Sequence, residues 1–238
     1  MNELETLKSW VENSSNVVFF GGAGVSTESN VPDFRSADGL YNMKYDYPPE
    51  TIISHSFYMS NPEEFYRFYK DRMLYPEAEP NPAHLALAKL EQEGHLKAVI
   101  TQNIDGLHQA AGSREVLELH GSVHRNYCTR CGRFYDMNYI LEQQGVPHCS
   151  CGGMVKPDVV LYEESLDSDV IDSALRYISK ADVLIIGGTS LTVYPAAGFI
   201  SYYRGSKLVL INKSATPMDN RADLVINQPI GRVMSMFL

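Results

Sequence analysis

The sequence lacks long apolar runs and has no excess of positive charge. Its apolar segments, such as Val183-Leu184-Ile185-Ile186, have only the length of a strand, so none could span a bilayer. The 29 acidic residues outnumber the 20 lysines and arginines, and the net charge of -9 argues against a nucleic-acid-binding surface. The acidic, amphipathic start at Met1–Glu5 is unlike a signal or transit peptide. We therefore expect a cytoplasmic protein that binds neither nucleic acid nor membrane.

Cysteine is scarce, and all four cysteines lie in one short window. Cys128-x-x-Cys131 and Cys149-x-Cys151 form two close pairs on either side of a loop, a spacing that suits a tetrahedral zinc ion. Two disulfides are the alternative, but nothing in the sequence suggests an oxidising compartment. Four thiolates would fill the coordination sphere and leave no position for water. The spacing therefore predicts one zinc ion with a structural rather than a catalytic role.

Glycine is concentrated where a polyphosphate could approach the backbone. The apolar run Val17–Phe20 is followed by Gly22-Ala23-Gly24, which predicts a buried strand that turns sharply into a helix. The amide groups and positive dipole of a helix N-terminus bind phosphate. The next segment, residues 31–36, adds an aromatic ring and a guanidinium. Such groups suit the flat ring and the phosphate of a dinucleotide.

Apolar strand-like runs alternate with helix-like segments along the chain. We predict strands at residues 17–20, 96–101, 116–119, 158–162, 182–187 and 207–211, and helices at 3–14, 62–73, 82–94, 167–179 and 194–203. Residues 37–60 show little periodicity and are expected to form a loop with short helices. Runs apolar enough to be buried on both faces indicate an α/β fold with a doubly wound parallel sheet. The cysteine region, near 122–156, interrupts this alternation as an insert.

Polar residues collect where the predicted strands end. Carboxyl ends of parallel strands share one edge of a sheet, and ligands bind there in open α/β folds. Each polar cluster could also be a helix cap, but five clusters at one edge favour a shared ligand site. These clusters are Gly22-Ala23-Gly24, Gln102-Asn103-Ile104-Asp105, His120, Gly188-Thr189-Ser190 and Asn212.

These motifs, in this order, resemble those of the sirtuins along essentially the whole chain. The resemblance also includes Pro32-Asp33-Phe34-Arg35, Leu119-His120-Gly121, the four cysteines and Lys156-Pro157-Asp158-Val159-Val160. It implies an NAD-dependent protein-lysine deacylase, most similar to the compact bacterial members. It also implies a Rossmann-type domain of residues 1–35, 77–121 and 158–238, and a smaller helical and zinc-binding domain of residues 36–76 and 122–157. The cleft between the two would hold NAD.

The resemblance also implies roles for individual residues. His120 would be the general base towards a ribose hydroxyl after the acyl-lysine oxygen attacks the nicotinamide-bearing carbon, with 2′-O-acyl-ADP-ribose as a product. Imidazole titrates near neutral pH, although a capping or core histidine is the alternative. Asn103 would orient a ribose hydroxyl or water, and Asp105 would hold the nicotinamide with Ile104. The full set expected around NAD is Gly22, Ala23, Gly24, Thr27, Phe34, Arg35, Gln102, Asn103, Ile104, Asp105, His120, Gly188, Thr189, Ser190, Asn212 and Ile230.

The segment Val159–Glu163 resembles the family's substrate-binding strand. Val159, Val160 and Tyr162 would pair with an acetyl-lysine peptide through the main chain. The usual Phe-Gly of the family is Tyr162-Glu163 here, and the glutamate either favours basic flanking residues or is solvated by water. Tyr66 and Tyr69 correspond to the Tyr-x-x-Arg of desuccinylating members. Since a buried carboxylate needs a cation, the missing arginine predicts neutral acyl groups, acetyl first.

The sequence leaves other departures from the family pattern and two other functions open. Asn30 replaces a glycine of the family pattern and should tolerate a left-handed backbone, whereas the effect of Gly21 is not evident from the sequence. An ADP-ribosyltransferase would share the cofactor site, but His120 and Asn103 favour deacylation. A non-catalytic zinc-ribbon binding module is the second alternative. With no long exposed apolar element, a monomer is expected.

Overall fold

The computed structural model describes residues 2–33, 39 and 45–238. In chain order the strands are β1 (Val17–Gly21), β2 (Leu96–Thr101), β3 (Val116–Glu118), β4 (Gly121–Cys128), β5 (Phe134–Tyr135), β6 (Val155–Val159), β7 (Val183–Gly187), β8 (Leu208–Ile211) and β9 (Leu224–Ile226). The α-helices are α1 (Glu3–Glu12), α2 (Pro49–Ile52), α3 (His55–Ser60), α4 (Pro62–Arg72), α5 (Pro82–Gln92), α6 (Leu107–Ala110), α7 (Met137–Glu142), α8 (Ser168–Lys180) and α9 (Ile230–Met234). Within these ranges, no helix is both long and apolar enough to cross a membrane.

The larger of the two sheets is parallel and has six strands in the order β3-β2-β1-β7-β8-β9. Successive side chains of a strand point to opposite faces, so β1 contributes to two cores. Val17 and Phe19 pack with α1, α5 and α9 on one face, while Val18 and Phe20 pack with α8 on the other. Burial on both faces explains why the strand sequences do not alternate. The predicted doubly wound α/β fold is confirmed.

A second, antiparallel sheet has the strand order β5-β4-β6. It shares a third hydrophobic cluster with helices α2, α3, α4 and α7. The helical segment before α5 and the cysteine region therefore pack on each other, although they lie far apart in the sequence. The proposed domain limits at 36–76 and 122–157 are compatible with this cluster and remain a prediction.

A charged side chain joins the edges of the two sheets. Arg125 on β4 donates from Nη1 to Glu118 on β3 at 2.6 Å and from Nε to Asp158 on β6 at 2.7 Å. The Glu118 side chain is only 9% exposed, so this ion pair lies partly out of water and is screened less than a surface pair. His120 lies in the connection between β3 and β4, next to this network.

Proline marks the start of two helices, as the sequence predicts. Pro62 and Pro82 are the first residues of α4 and α5, where the absent N–H has no partner to lose. Asn81 caps α5 by accepting from the Ala83 amide at 2.9 Å. In return, Nδ1 of His84 accepts from the Asn81 amide at 3.2 Å. This is a capping box in which histidine takes the place of the usual glutamate or glutamine.

Several local expectations were wrong. The glycine turn after β1 leads into two short 3₁₀ turns, Ala23–Val25 and Thr27–Ser29, rather than a helix, and residues 196–202 also form a 3₁₀ helix. The strand expected at 158–162 ends at Val159, because the following residues turn to pair with the segment before α3. The short edge strand β9 was missed, since three residues carry too little periodicity for a prediction.

Candidate active site

A cleft of about 1350 Å³ lies at the carboxyl ends of β1, β2, β7 and β8 and extends to β6. All five polar clusters predicted at this edge line the cleft with every one of their residues. The lining residues that the sequence predicted are Gly22, Ala23, Gly24, Thr27, Gln102, Asn103, Ile104, Asp105, His120, Val159, Val160, Tyr162, Gly188, Thr189, Ser190, Asn212 and Ile230. Phe34 and Arg35 lie outside the described residues.

The glycines after β1 and β7 allow two loops to touch backbone to backbone. The Gly24 amide donates to the Gly188 carbonyl oxygen at 2.7 Å. A Cβ on Gly24 would lie 2.9 Å from the Gly188 Cα, and Gly188 has a φ of 59°, which favours glycine. The glycines therefore serve first to bring the two loops together at the floor of the cleft. A phosphate would meet this joined surface instead of the single helix N-terminus that the sequence predicted.

Asn212, at the end of β8, holds the loop that follows β7. Its Oδ1 accepts from the Thr189 amide at 3.0 Å, and its Nδ2 donates to the Thr189 carbonyl oxygen at 2.7 Å. Both ends of the amide are thus engaged with the main chain. The side chain positions the Gly188–Ser190 loop, and any further contact with a ligand would share these atoms.

A chain of hydrogen bonds connects the loop after β2 with the loop after β1. Asn103 Nδ2 donates to Ser26 Oγ at 3.0 Å, and Ser26 Oγ donates to Asp105 Oδ2 at 2.7 Å. Asp105 Oδ1 accepts from the Leu107 amide at 2.9 Å. Burial raises the pKa of Asp105, while the hydrogen bonds from Leu107 and Ser26 oppose that rise. This network fixes the orientation of the side chains of Asn103 and Asp105.

His120 is placed as a base with a defined tautomer. Its Nδ1 lies 2.9 Å from the carbonyl oxygen of Gln102, which can only accept, so Nδ1 carries the proton of the neutral ring. Nε2 is then left as the basic atom. Burial lowers the pKa of His120, and the hydrogen bond to Gln102 partly offsets this effect. The imidazole is therefore neutral at pH 7 and able to accept a proton.

The segment after β6 is hydrogen-bonded to His120 and to the residues just before α3. The Val160 amide donates to the His120 carbonyl oxygen at 3.0 Å, so the predicted substrate strand and the candidate base are adjacent in space. The Tyr162 amide donates to the Ile53 carbonyl oxygen at 3.0 Å, and the His55 amide donates to the Tyr162 carbonyl oxygen at 3.0 Å. Because β6 lies at the edge of the small sheet, it offers a main-chain edge to an extended peptide.

Tyr66 and Tyr69 do not contribute to the cleft that the structure shows. Both side chains are 0% exposed and lie in the aromatic cluster of α3 and α4, where the Tyr66 hydroxyl donates to the Val155 carbonyl oxygen. Arg72, which the sequence spacing placed out of phase, does line the cleft. Its Nε lies 2.7 Å from Asp71, so this cation is already paired with a carboxylate.

The four cysteines meet as the spacing predicts. All four Sγ atoms lie within 4.8 Å of one another, with Cys128 and Cys151 3.5 Å apart and Cys131 and Cys149 3.6 Å apart. Zn–S bonds of about 2.3 Å in a tetrahedron require sulfur–sulfur distances of about 3.8 Å. The donor set and its dimensions therefore fit one zinc ion, and the cluster lies outside the cleft.

Comparison with known proteins identifies the family. A family model described as "Sir2 family" matches residues 22–195. The chain belongs to the Sir2 family. A Clostridium perfringens NAD-dependent protein deacetylase is 63% identical, with 98% of this chain and 97% of that protein covered. A Staphylococcus aureus protein of the same name is 44% identical, with 100% and 98% covered. The resemblance to bacterial sirtuins, and the deacetylase activity that it implied, are thus confirmed.

Solved Sir2 structures show the same fold. A complex of Sir2 with a p53 peptide and NAD+ is 41% identical and superimposes with a TM-score of 0.87 over 99% of this chain and 97% of that one. A structure from work on the mechanism and regulation of Sir2 enzymes is 40% identical, with a TM-score of 0.89 over 99% and 96%. The predicted use of NAD and the predicted zinc site agree with these relatives and with the cysteine cluster.

Ser26 and His124 are two side chains of the cleft for which the sequence predicted no role. Ser26 lies within the quoted glycine motif, and it bridges Asn103 and Asp105. Its position two residues after Gly24 was the only available signal. His124 lines the cleft, and its Nε2 lies 2.9 Å from the Asp105 carbonyl oxygen. No sequence motif indicated it, since this contact depends on how β4 packs on the loop after β2.

Proposed function

We propose that this Sir2 enzyme removes acetyl groups from protein lysines at the cleft between the two sheets, with His120 as the general base. The observation that carries the assignment is the position of His120 between the Gln102 carbonyl group and the Val160 amide. The imidazole contacts Gln102 and the main-chain carbonyl group of His120 contacts Val160, so the residue lies where the proposed nucleotide loops and the candidate peptide edge meet. NAD supplies the ribose carbon that is activated by loss of nicotinamide.

The residues around NAD divide into a phosphate side and a nicotinamide side. The joined loops containing Ala23, Gly24 and Ser190 would hold the pyrophosphate, and Ile230, at the start of α9, would contact the adenine. Asn212, whose side chain positions the Gly188–Ser190 loop, would contact the adenosine ribose. These roles are supported by the place of each residue in the cleft lining and by the backbone contact between the loops.

Asn103, Ile104 and Asp105 would form the nicotinamide side. Asp105 accepts two hydrogen bonds from the protein, which keeps its carboxylate in a single orientation as an acceptor for a carboxamide. Asn103 is 9% exposed and can orient a ribose hydroxyl or a water molecule without adding charge. Thr27, together with Phe34 and Arg35, is proposed to belong to the loop that covers the cofactor.

The substrate would bind as an extended acetyl-lysine peptide next to Val159, Val160 and Tyr162. Main-chain pairing of this kind makes few demands on sequence. The zinc ion would hold the loops of Cys128, Cys131, Cys149 and Cys151 and so support β4 and β6, which border the cleft. We further propose a cytoplasmic monomer with the domain limits given above and without nucleic-acid partners, in keeping with the net charge of -9.

His120→Ala is the direct test of the catalytic assignment. Purified protein with bound zinc is incubated with NAD and an acetyl-lysine peptide, and deacetylated peptide, nicotinamide and O-acetyl-ADP-ribose are measured by mass spectrometry. We expect the wild-type protein to form all three, and the variant to bind NAD but lose at least about 100-fold in turnover, the usual contribution of a general base. Unchanged turnover would refute the role of His120. Lasting transfer of ADP-ribose to protein would favour the alternative activity.

A further inference from the structure

Glu163 occupies a backbone position that disfavours a side chain. Its φ of 75° lies in the left-handed region, where residues other than glycine, asparagine and aspartate are rare. The residue directly follows Tyr162, lines the cleft and is exposed. A glycine would adopt this backbone conformation without strain, so the presence of a glutamate calls for an explanation.

The Glu163 carboxylate is held in place without being neutralised. Its Oε2 accepts from the Ser56 amide at 2.9 Å, and its Oε1 accepts from the Ser56 hydroxyl at 2.9 Å. Both donors are uncharged, so the side chain keeps its negative charge in one fixed orientation. The neighbouring Glu164 differs, because it accepts from Lys156 Nζ at 3.1 Å and lies 2.8 Å from His55 Nδ1.

Glu163 lines the cleft directly beside Tyr162 of the candidate peptide edge. A peptide that pairs along β6 and its continuation through Val160 would pass Tyr162 and then Glu163. Successive residues of an extended chain rise by about 3.3 Å, so a residue flanking the acetyl-lysine by two or three positions comes within reach of this carboxylate.

We propose that Glu163 is a specificity-determining residue that favours acetyl-lysine peptides carrying lysine or arginine close to the modified lysine. The proposal rests on the function assigned above. Main-chain pairing alone discriminates little between peptide sequences, and Glu163 adds a preference for positive charge. Exposed pairs of this kind change an affinity by about two- to five-fold. Salt reduces the effect, since the Debye length falls to about 3 Å at 1 M.

The test compares peptides that differ only at the flanking positions, which carry arginine, glutamine or glutamate. Values of kcat/KM are measured by nicotinamide release in 50 mM and 1 M NaCl. We expect the wild-type protein to prefer the arginine peptide over the glutamate peptide at low salt by about two- to five-fold per charge. The preference should shrink at high salt. The ratio within one protein cancels any general loss of activity.

Three variants test whether the preference comes from the charge of Glu163 or from its hydrogen bonds to Ser56. Glu163→Gln keeps a side-chain acceptor for Ser56 and should bring the ratio close to one, and Glu163→Lys should reverse it. Ser56→Ala removes one hydrogen bond but keeps the charge, so most of the preference should remain. Equal use of all three peptides by the wild-type protein, or an unchanged ratio in Glu163→Gln, would overturn the proposal. Failure of the proposed function differs, because then no peptide would be deacetylated with NAD.

Discussion

The buried pair of His84 and His108 should make folding of this protein sensitive to mild acid. The ring centroids are 4.7 Å apart, and the two residues are 0% and 1% exposed. Burial lowers the pKa of His84 to about 4, and burial together with the nearby His84 lowers the pKa of His108 well below its usual range. Both rings are therefore neutral in the folded protein at pH 7.

The loss of stability in acid follows from the different numbers of protons that the folded and unfolded states bind. In the unfolded chain a histidine takes up a proton as the pH falls through about 6.5, whereas folded His84 does so only near pH 4. Between these values the unfolded state binds more protons, so the free energy of unfolding falls as the pH falls. For His84 alone the loss from pH 7 to pH 5 is about 2 kcal/mol, and it reaches about 3 kcal/mol by pH 4.

His84→Gln isolates this contribution. Glutamine does not titrate, and its oxygen can still accept from the Asn81 amide in the capping box. Urea unfolding with excess zinc at pH 7 and pH 5 should show that the wild-type protein loses about 2 kcal/mol more than the variant. His95→Gln, at a partly exposed residue outside the pair, is the matched control. A difference below about 0.5 kcal/mol between wild type and His84→Gln would refute the reasoning.

Three further results are expected. Chelation of the zinc ion should lower Tm and deacetylase activity together, since the cysteine loops lose their common centre; full activity in metal-free protein would contradict a structural role. Asn30→Ala should cost about 1–2 kcal/mol in thermal denaturation because Asn30 has a φ of 60°, whereas Asn30→Gly should not destabilise, and equal effects of the two would contradict this explanation. The acid limb of kcat/KM should lie below pH 6.5, since the pKa of His120 is lowered by burial; a limb above pH 7 would exclude that proton transfer.

The larger sheet could be predicted because its strands carry strong signals. Runs such as Val17–Phe20 are apolar at every position, as burial on both faces requires, and Pro62 and Pro82 mark helix starts. The polar residues at the strand ends could be placed together from the parallel topology alone. The short 3₁₀ turns after Gly22 were not predictable, because the first of them depends on a hydrogen bond from the Gly24 amide to the carbonyl oxygen of the distant Gly188.

The departures from the family pattern became interpretable only in three dimensions. A Cβ on Gly21 would lie 2.6 Å from the ring of Phe19, so the large side chain two residues earlier occupies the space that a larger residue would need. Asn30 adopts the left-handed backbone that was expected of it. Tyr66 and Tyr69 were assigned by counting along a helix, and the packing of that helix turned both of them into the core.

Gln102 connects the end of β1 and the loop after β7 with the imidazole of His120, the candidate base. Its amide donates to the Gly21 carbonyl oxygen at 3.0 Å, its side chain donates to Thr189 at 3.1 Å, and its own carbonyl oxygen receives Nδ1 of His120. The main chain of Gln102 therefore sets the tautomer of His120 and also bonds to the end of β1, at the floor of the cleft. A substitution that displaces Gln102 should therefore affect both the binding of NAD and the orientation of the candidate base.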